Sequence, residues 1–63
     1  MRAGHTYRHP RCLDIDLHIL KITYRGPTYF KARVAYVNQR SGIVHEKETI
    51  KIMRKDLKDW KEV

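Results

Sequence analysis

Two runs of alternating apolar and polar residues constrain the fold of this chain more than any other feature. In the first run, the apolar residues Leu13, Ile15, Leu17 and Ile19 occupy odd positions, and the phase changes at Leu20. Alternation with a period of two is typical of a half-buried strand. A strand changes the face that it buries only by gaining a residue. Residues 12–24 are therefore predicted to form one long strand with a β-bulge or sharp coil near Ile19, as at the corner of a barrel.

The second run, residues 29–37, follows a short loop at Gly26, Pro27 and Thr28 and is predicted to form the other arm of a hairpin. Its even-numbered residues are apolar, and its odd-numbered residues include two cations. Opposed residues in an antiparallel pair share a face. The register predicted from this rule gives the core-side pairs Tyr24–Phe30, Ile22–Ala32 and Leu20–Val34, and the outer pairs Arg25–Tyr29, Thr23–Lys31 and Lys21–Arg33.

The remaining segments are predicted to extend this hairpin. Residues 5–9 form a short first strand that ends before Pro10, and residues 43–53 form a fourth strand. In the fourth strand a bulge or loop at 45–47 keeps Glu46 and Glu48 out of the core. Residues 54–63 change period, which predicts one helical or 3₁₀ turn that Asp56 caps and that lays Leu57 and Trp60 against one end of the sheet. The last residues are predicted to add a short final strand.

Four to five bent antiparallel strands and a C-terminal helical turn outline a small all-β domain. The pattern resembles SH3-like barrels, including Tudor and KOW-type modules, over a single domain of residues 1–63. The opening segment Gly4-His5-Thr6-Tyr7-Arg8-His9 is similar to the start of short bacterial and bacteriophage proteins. The acidic loop and aromatic cluster of peptide-binding SH3 domains, and the aromatic cage of Tudor domains, are not recognisable. The resemblance therefore implies a fold and no particular activity.

Charge gives the strongest indication of a partner. Lys and Arg number 14 against 7 Asp and Glu, a net charge of +7 that favours nucleic acid, anionic lipid or acidic protein surfaces. With 63 residues, the chain holds one thin core, so modest stability or self-association is expected. The one cysteine excludes an internal disulfide. No apolar leader and no apolar run of 18 residues occurs, which predicts a soluble cytoplasmic protein without membrane insertion.

Three residues near the start have the chemistry of zinc ligands but not a complete set. His5, His9 and Cys12 are spaced His-x3-His-x2-Cys, and a fourth ligand would have to come from His18, His45 or Asp14 through the tertiary fold. Tight zinc sites usually show paired spacings on both sides of the site. Histidines that are solvated or hydrogen-bonded are the favoured interpretation, and no metal or cofactor is predicted.

A second polar group, Asp14 and Asp16 with His18, lies on alternate positions of the long strand. Carboxylates spaced in this way face the same direction and can share a cation or act in acid-base catalysis. Polar residues on the solvent face of a strand need no such role, and these two also offset Arg8 and Arg11. No nucleophile motif or glycine-rich phosphate loop is present in the sequence. The protein is therefore predicted not to be an enzyme.

The outer face of the predicted sheet is basic and contains an aromatic residue. Cations along a sheet with an interleaved tyrosine favour contacts with nucleic-acid phosphates, and a loop arginine could reach a further phosphate. A solvated basic surface that keeps a small protein soluble is the open alternative. The candidate nucleic-acid-binding residues are Lys21, Arg25, Tyr29, Lys31, Arg33, Arg40, Lys47 and Lys51.

A different class of function remains open. A protein-interaction or regulatory module, of the kind that bacteriophages encode, would dock to an acidic protein through the same face or through Trp60 and an open strand edge. Trp60 is the only tryptophan, and tryptophan is enriched at interaction hot spots. The expectation for this residue is that it plugs the end of the barrel beside Leu57; an exposed Trp60 would favour a protein partner.

Overall fold

A computed structural model describes the backbone of residues 1–63 and the side chains of residues 1–44 and 47–63. The chain is all-β, with one short 3₁₀ helix near its end. The elements are β1 (Thr6–Arg8), β2 (Ile15–Arg25), β3 (Tyr29–Asn38), β4 (Val44–Met53), the 3₁₀ helix (Arg54–Asp59) and β5 (Lys61–Glu62). All five strands belong to one antiparallel sheet with the order β4-β3-β2-β1-β5.

The sheet is open along two edges. β5 returns beside β1, and β4 lies at the opposite side next to β3. Across the described backbone of residues 1–63, no ladder joins β4 to β5. The prediction of an all-β chain of antiparallel strands is confirmed, and the sheet is not closed into a barrel.

The pairing of β2 with β3 contains two irregularities, of which one was predicted. The first places Leu20 as the extra residue between the pairs Ile19–Val34 and Lys21–Arg33, which confirms the bulge at the phase change. The second leaves Thr23 as the extra residue. Nothing in the alternation indicated it, because Tyr24 continues the apolar phase of the strand.

The second bulge corrects the predicted register near the loop. Tyr24 opposes Lys31 instead of Phe30, and Arg25 opposes Phe30 instead of Tyr29. The predicted pairs Ile22–Ala32 and Lys21–Arg33 are present, whereas Leu20–Val34 and Thr23–Lys31 are not. The Thr23 hydroxyl instead donates a hydrogen bond of 3.2 Å to the carbonyl of Lys31. Tyr24 thereby moves from the predicted core face to the outer face.

The pairing of β4 with β3 follows the predicted parity. Phe30 opposes Ile52, Lys31 opposes Lys51 and Ala35 opposes Lys47. The register then shifts before the pair Val37–Val44, which confirms an irregularity within the predicted segment. The predicted bulge also involves His45 and Glu46, whose side chains lie outside the described residues. Glu48 is on the same face as Ile50 and Ile52 but is exposed at the sheet edge, where the Tyr36 hydroxyl donates a hydrogen bond to it.

The core lies on one face of the sheet. Its buried residues come from β1 to β4 and are Tyr7, Leu17, Ile19, Phe30, Ala32, Val34 and Ile52. Ile19 and Val34, which oppose each other, are fully buried. The expectation that Leu13 starts the buried stripe of the long strand is wrong, because β2 begins at Ile15 and Leu13 is 79% exposed.

The 3₁₀ helix covers one end of this core. Leu57 and Trp60 are half-buried against the core cluster, as predicted. The predicted Asp56 cap is wrong, because the helix starts at Arg54, its N-cap is Met53, and no side chain caps it. The helix is six residues long, and within the described residues no helix has the length and apolar character needed to cross a membrane.

Candidate nucleic-acid interface

The outer face of β2, β3 and β4 carries five exposed cations. They are Lys21, Lys31, Arg33, Lys47 and Lys51. Residues that oppose one another across three strands form rows, of which two are Lys21–Arg33–Thr49 and Tyr24–Lys31–Lys51. Rows on the same face are about 7 Å apart along a strand. We call this surface the basic face and define it by Lys21, Tyr24, Tyr29, Lys31, Arg33, Lys47, Thr49 and Lys51.

Like charges oppose each other in both rows of the basic face. Lys21 faces Arg33 across β2 and β3, and Lys31 faces Lys51 across β3 and β4. All four side chains are exposed. Opposed like charges destabilise a sheet by up to about 1 kcal/mol per pair, less where solvent screens them. Among the described side chains, no carboxylate forms a salt bridge with any of these cations.

Two tyrosines lie side by side at the end of the basic face. The Tyr24 and Tyr29 rings have centroids 5.4 Å apart at an angle of 37°. The Lys51 ammonium is 4.5 Å from the centroid of Tyr29, a cation–π distance. Tyr29 was predicted here, and Tyr24 was missed because its position depends on the bulge at Thr23. The alternation of apolar residues carried no signal for an outward Tyr24, because Tyr24 continues the apolar phase of β2.

Two predicted members of the site lie elsewhere. Arg25 opposes buried Phe30, so the register places it on the other face of the sheet from Lys31. Arg40 is exposed in the loop between β3 and β4, at the opposite end of β3 from Tyr29. The loop is built by Asn38, whose side-chain oxygen accepts hydrogen bonds from the backbone of Arg40 and Ser41. The structure therefore brings together six of the eight predicted residues on one surface.

The same face of the sheet has a different character at its other end. Asp16 is only 6% exposed and accepts two hydrogen bonds from the Arg8 guanidinium, at 2.9 and 3.0 Å. Gln39 donates a third hydrogen bond of 2.8 Å to this carboxylate. We call Arg8, Asp16 and Gln39 the Asp16 cluster. Here the predicted offset of Arg8 by a nearby carboxylate is confirmed, whereas the predicted solvent exposure of Asp16 is wrong.

The charges within the Asp16 cluster stabilise each other. The hydrogen bonds from Arg8 lower the pKa of Asp16, burial opposes this by raising it, and the hydrogen bond from Gln39 lowers it further. The same pairing raises the pKa of Arg8 above its usual value. Burial, with the hydrogen bond to Glu48, raises the pKa of Tyr36 to about 12. Among the described side chains, no cation of the basic face forms a salt bridge like that between Arg8 and Asp16.

The three candidate zinc ligands near the start of the chain have separate contacts. The His5 ring nitrogen lies 3.2 Å from a Glu62 carboxylate oxygen, and His9 packs edge-on against Trp60. Cys12 is an exposed thiol. Among the side chains of residues 1–44 and 47–63, no group of three His, Cys, Asp or Glu could hold a metal ion. His45, one proposed source of a fourth ligand, is outside that set.

Trp60 lies in an open cleft at the end of the sheet. The cleft has a volume of about 590 Å³ and is lined by β1–β2 loop residues and the 3₁₀ helix: His9, Pro10, Arg11, Asp56, Asp59 and Trp60. The Trp60 and His9 rings meet at 70° with centroids 5.0 Å apart. Trp60 is therefore partly buried by packing. Its remaining surface lines a cleft that also contains Asp56 and Asp59.

Comparisons with family models, with curated proteins and with solved structures gave no match to this chain.

Proposed function

We propose that this protein is a non-enzymatic domain that binds nucleic acid through phosphate contacts on the basic face. The contacting cations are Lys21, Lys31, Arg33, Lys47 and Lys51, with Tyr24 and Tyr29 beside them. Arg25 and Arg40 have no place in this set, because they lie on the other face and at the far end of the sheet.

The observation that carries the proposal is the pair of like-charge rows. Lys21 opposes Arg33 and Lys31 opposes Lys51, with no carboxylate of the described side chains paired to them. A row of phosphates placed along β3 would convert these repulsive pairs into attractive contacts and release counterions. A surface that serves solubility alone gains nothing from directly opposed cations, because interspersed charges of both signs provide solubility without repulsion.

Phosphate contacts, with little reading of base edges in a groove, fit the available elements. The major groove of DNA admits an α-helix or a two-stranded ribbon. The only helix in the described chain is the six-residue 3₁₀ segment, which packs at the end of the sheet and does not project from it. The basic face is part of a sheet of several strands, which is wider than a ribbon. We therefore expect affinity that depends on charge more than on sequence.

The test is fluorescence anisotropy of labelled single-stranded and duplex DNA and RNA at about 50 and 200 mM salt. Five phosphate contacts would weaken binding of a single strand by about 100-fold over this range, because the logarithm of the affinity falls linearly with the logarithm of salt concentration. The double variant Lys31→Glu with Arg33→Glu, which reverses two neighbouring charges at the centre of the face, is expected to abolish binding.

A matched variant separates this face from net charge. Lys55→Glu with Lys58→Glu makes the same change in net charge on the exposed side of the 3₁₀ helix. The proposal requires this variant to bind much more tightly than the one on the basic face. Equal losses in both variants would show that only total charge matters, and full binding by Lys31→Glu with Arg33→Glu would remove the basic face from the function.

The fold itself is proposed to be a barrel of the SH3-like type that is not fully closed. Three features support this: the sheet places β5 beside β1, the 3₁₀ helix precedes β5, and β2 bends at two bulges. An experimental structure in which the strand order β4-β3-β2-β1-β5 recurs, with β2 shared between two orthogonal halves, is the expected result. A flat sheet without the bend at Leu20 would contradict it.

A protein partner is the second candidate, and one observation favours it. β4 is an open edge strand; its first residue, Val44, is 54% exposed, and Ile43, just before the strand, is 60% exposed. An open edge with exposed apolar residues can pair with a strand of another chain. Capture of a protein from the source cell that depends on Val44 and resists nuclease treatment would support this candidate, and Val44→Lys is the variant expected to abolish that capture.

A further inference from the structure

The position of Tyr24 bears on which class of nucleic acid the basic face can bind. The bulge at Thr23 turns this ring outward, where it opposes Lys31 and remains 46% exposed. Aromatic rings exposed beside cations on a sheet are the arrangement on which the bases of a single strand stack. Because Lys51 already lies against Tyr29, Tyr24 presents the more accessible ring of the pair.

The ring is held in place by the β2–β3 loop. Gly26 lies so close that a Cβ atom there would be 2.8 Å from both the Cε2 and the hydroxyl oxygen of Tyr24, nearer than such atoms approach. The amide of Gly26 donates to the carbonyl of Tyr29 at 2.9 Å. Arg54 ties the loop from the 3₁₀ helix, since its Nε donates to the Gly26 carbonyl and its amide donates to the carbonyl of Thr28. The loop against which the Tyr24 ring lies is therefore ordered before a ligand binds, which lowers the entropy lost on contact.

Only unpaired bases can use this arrangement. In a duplex the faces of the bases are covered by their neighbours in the stack, so an exposed ring contacts only the backbone. In a single strand each base can stack on an aromatic ring while the phosphates follow a positively charged surface. The cations Lys31 and Lys51 lie in the same row as Tyr24, which puts phosphate contacts and stacking at adjacent positions.

On the basis of the proposed nucleic-acid function, we infer that the basic face selects single-stranded nucleic acid. One or two unpaired bases stack on Tyr24 and Tyr29, and the neighbouring phosphates contact Lys31 and Lys51. Gly26 acts as a positioning residue, because its lack of a side chain lets the Tyr24 ring lie against the loop. Recognition of this kind tolerates different bases, since every base has a face that stacks.

The test compares three labelled ligands of equal length, about twelve nucleotides, within the usual range for small single-strand-binding sites. The ligands are oligothymidine, an abasic strand with the same phosphates, and a duplex. The wild-type protein is expected to bind oligothymidine about tenfold or more tightly than the abasic strand, because stacking of one base contributes about that factor. Oligothymidine should also bind more tightly than the duplex, whose base faces are covered, and binding of the duplex should not depend on the two rings.

Substitutions assign this preference to the two rings. Tyr24→Leu with Tyr29→Leu is expected to lower the affinity for oligothymidine to that for the abasic strand while leaving the salt dependence unchanged. Tyr24→Phe with Tyr29→Phe keeps both rings and should bind like the wild type. Gly26→Ala, which displaces the Tyr24 ring without removing it, should lose part of the preference. Circular dichroism and thermal melting establish that each variant is folded.

The outcomes distinguish this inference from the proposed function. Equal binding of oligothymidine and the abasic strand by the wild-type protein overturns the inference and leaves the phosphate contacts in place. Retention of the base preference by the leucine variant overturns the assignment to Tyr24 and Tyr29. Absence of binding to all three ligands at about 50 mM salt overturns both, because the phosphate contacts would then also be missing.

Discussion

The two ends of the outer face contain cations in opposite situations. At one end, Arg8 is held by two hydrogen bonds to Asp16, which is nearly buried and also bound by Gln39. At the other end, Lys31 opposes Lys51 across two strands, and no described carboxylate is paired with either. The Asp16 cluster is electrostatically complete within the chain. Among the described side chains the cations of the basic face have no such carboxylate partner, so an anionic ligand can contribute far more there.

This contrast separates charge that stabilises the fold from charge that serves a partner. Removing a charge from the Asp16 cluster should lower stability, because buried polar groups lose their partners. Removing a charge from the basic face should leave stability unchanged or raise it, because a repulsive pair disappears. The opposite signs of these effects provide tests of the account.

The largest expected effect on stability is at Asp16. Asp16→Asn keeps the size of the side chain but removes its charge, so the hydrogen bonds from Arg8 lose most of their strength. We expect the free energy of unfolding to fall by about 1–3 kcal/mol, the range for hydrogen bonds to a charged group. Denaturant unfolding measures the change. Asp14→Asn, at an exposed neighbouring aspartate, is the control and should have almost no effect; equal effects at both positions would contradict the account.

The pH dependence of stability should be traceable to the same carboxylate. The pKa of Asp16 is lower in the folded protein than in the unfolded chain, mainly because of the hydrogen bonds from Arg8. Its contribution to stability is therefore fully present above the unfolded pKa of about 4 and is lost as the pH falls through the folded value. The difference in unfolding free energy between the wild type and Asp16→Asn should shrink below about pH 4. A difference that stays constant down to strongly acidic pH would exclude this linkage.

Lys51→Glu should separate stability from binding. The new carboxylate would oppose Lys31, which replaces a repulsive cross-strand pair with an attractive one. We expect a gain of about 0.2–1 kcal/mol in unfolding free energy, the scale of cross-strand pairs, together with weaker binding of nucleic acid. Lys58→Glu on the 3₁₀ helix is the matched control for net charge. Lys51→Gln, which also loses the cation–π contact with Tyr29, is the second control; a Lys51→Glu protein no more stable than Lys51→Gln would contradict the expected cross-strand attraction.

The smallest expected effect is that of salt on the protein without a ligand. Raising ionic strength from about 10 to 150 mM shortens the Debye length and screens the opposed cations of the basic face. The wild-type midpoint temperature should rise slightly, and Lys51→Glu should respond less because its repulsive pair is gone. Differential scanning fluorimetry across salt concentrations measures both. An equal rise of the midpoint temperature with salt in both proteins would show that the Lys31–Lys51 pair does not cause the salt dependence.

The strands could be predicted from the sequence because their alternation reports burial directly. The phase change at Leu20 required an extra residue, and the bulge lies there. The loop at 26–28 and the parity of β4 followed from the same reasoning. These features depend only on which residues are apolar, and the amino-acid sequence specifies that directly.

The bulge at Thr23 could not be predicted, because it breaks no pattern. Tyr24 is equally compatible with a buried or an exposed position, and the choice depends on the close contact with Gly26 and on ties from Arg54. The ties from Arg54 join segments 28 residues apart, and the contact of Tyr24 with Gly26, although local, leaves no mark in the alternation of apolar residues. The burial of Asp16 has the same origin, since Arg8 and Gln39 reach it from β1 and from the end of β3. The face on which each charged residue lies depends on the register of the strands, so the candidate site could not be assigned completely from the sequence.

The most direct test of the account is a titration of ¹⁵N-labelled protein with a short single strand, followed by amide chemical shifts. The account predicts that the largest shifts occur in residues 21–24, 29–33 and 47–51, and that Arg8, Asp16 and Gln39 remain nearly unchanged. Shifts centred on the Asp16 cluster or on the Trp60 cleft, or no shifts at low salt, would contradict the claim that the cations of the basic face form the binding surface.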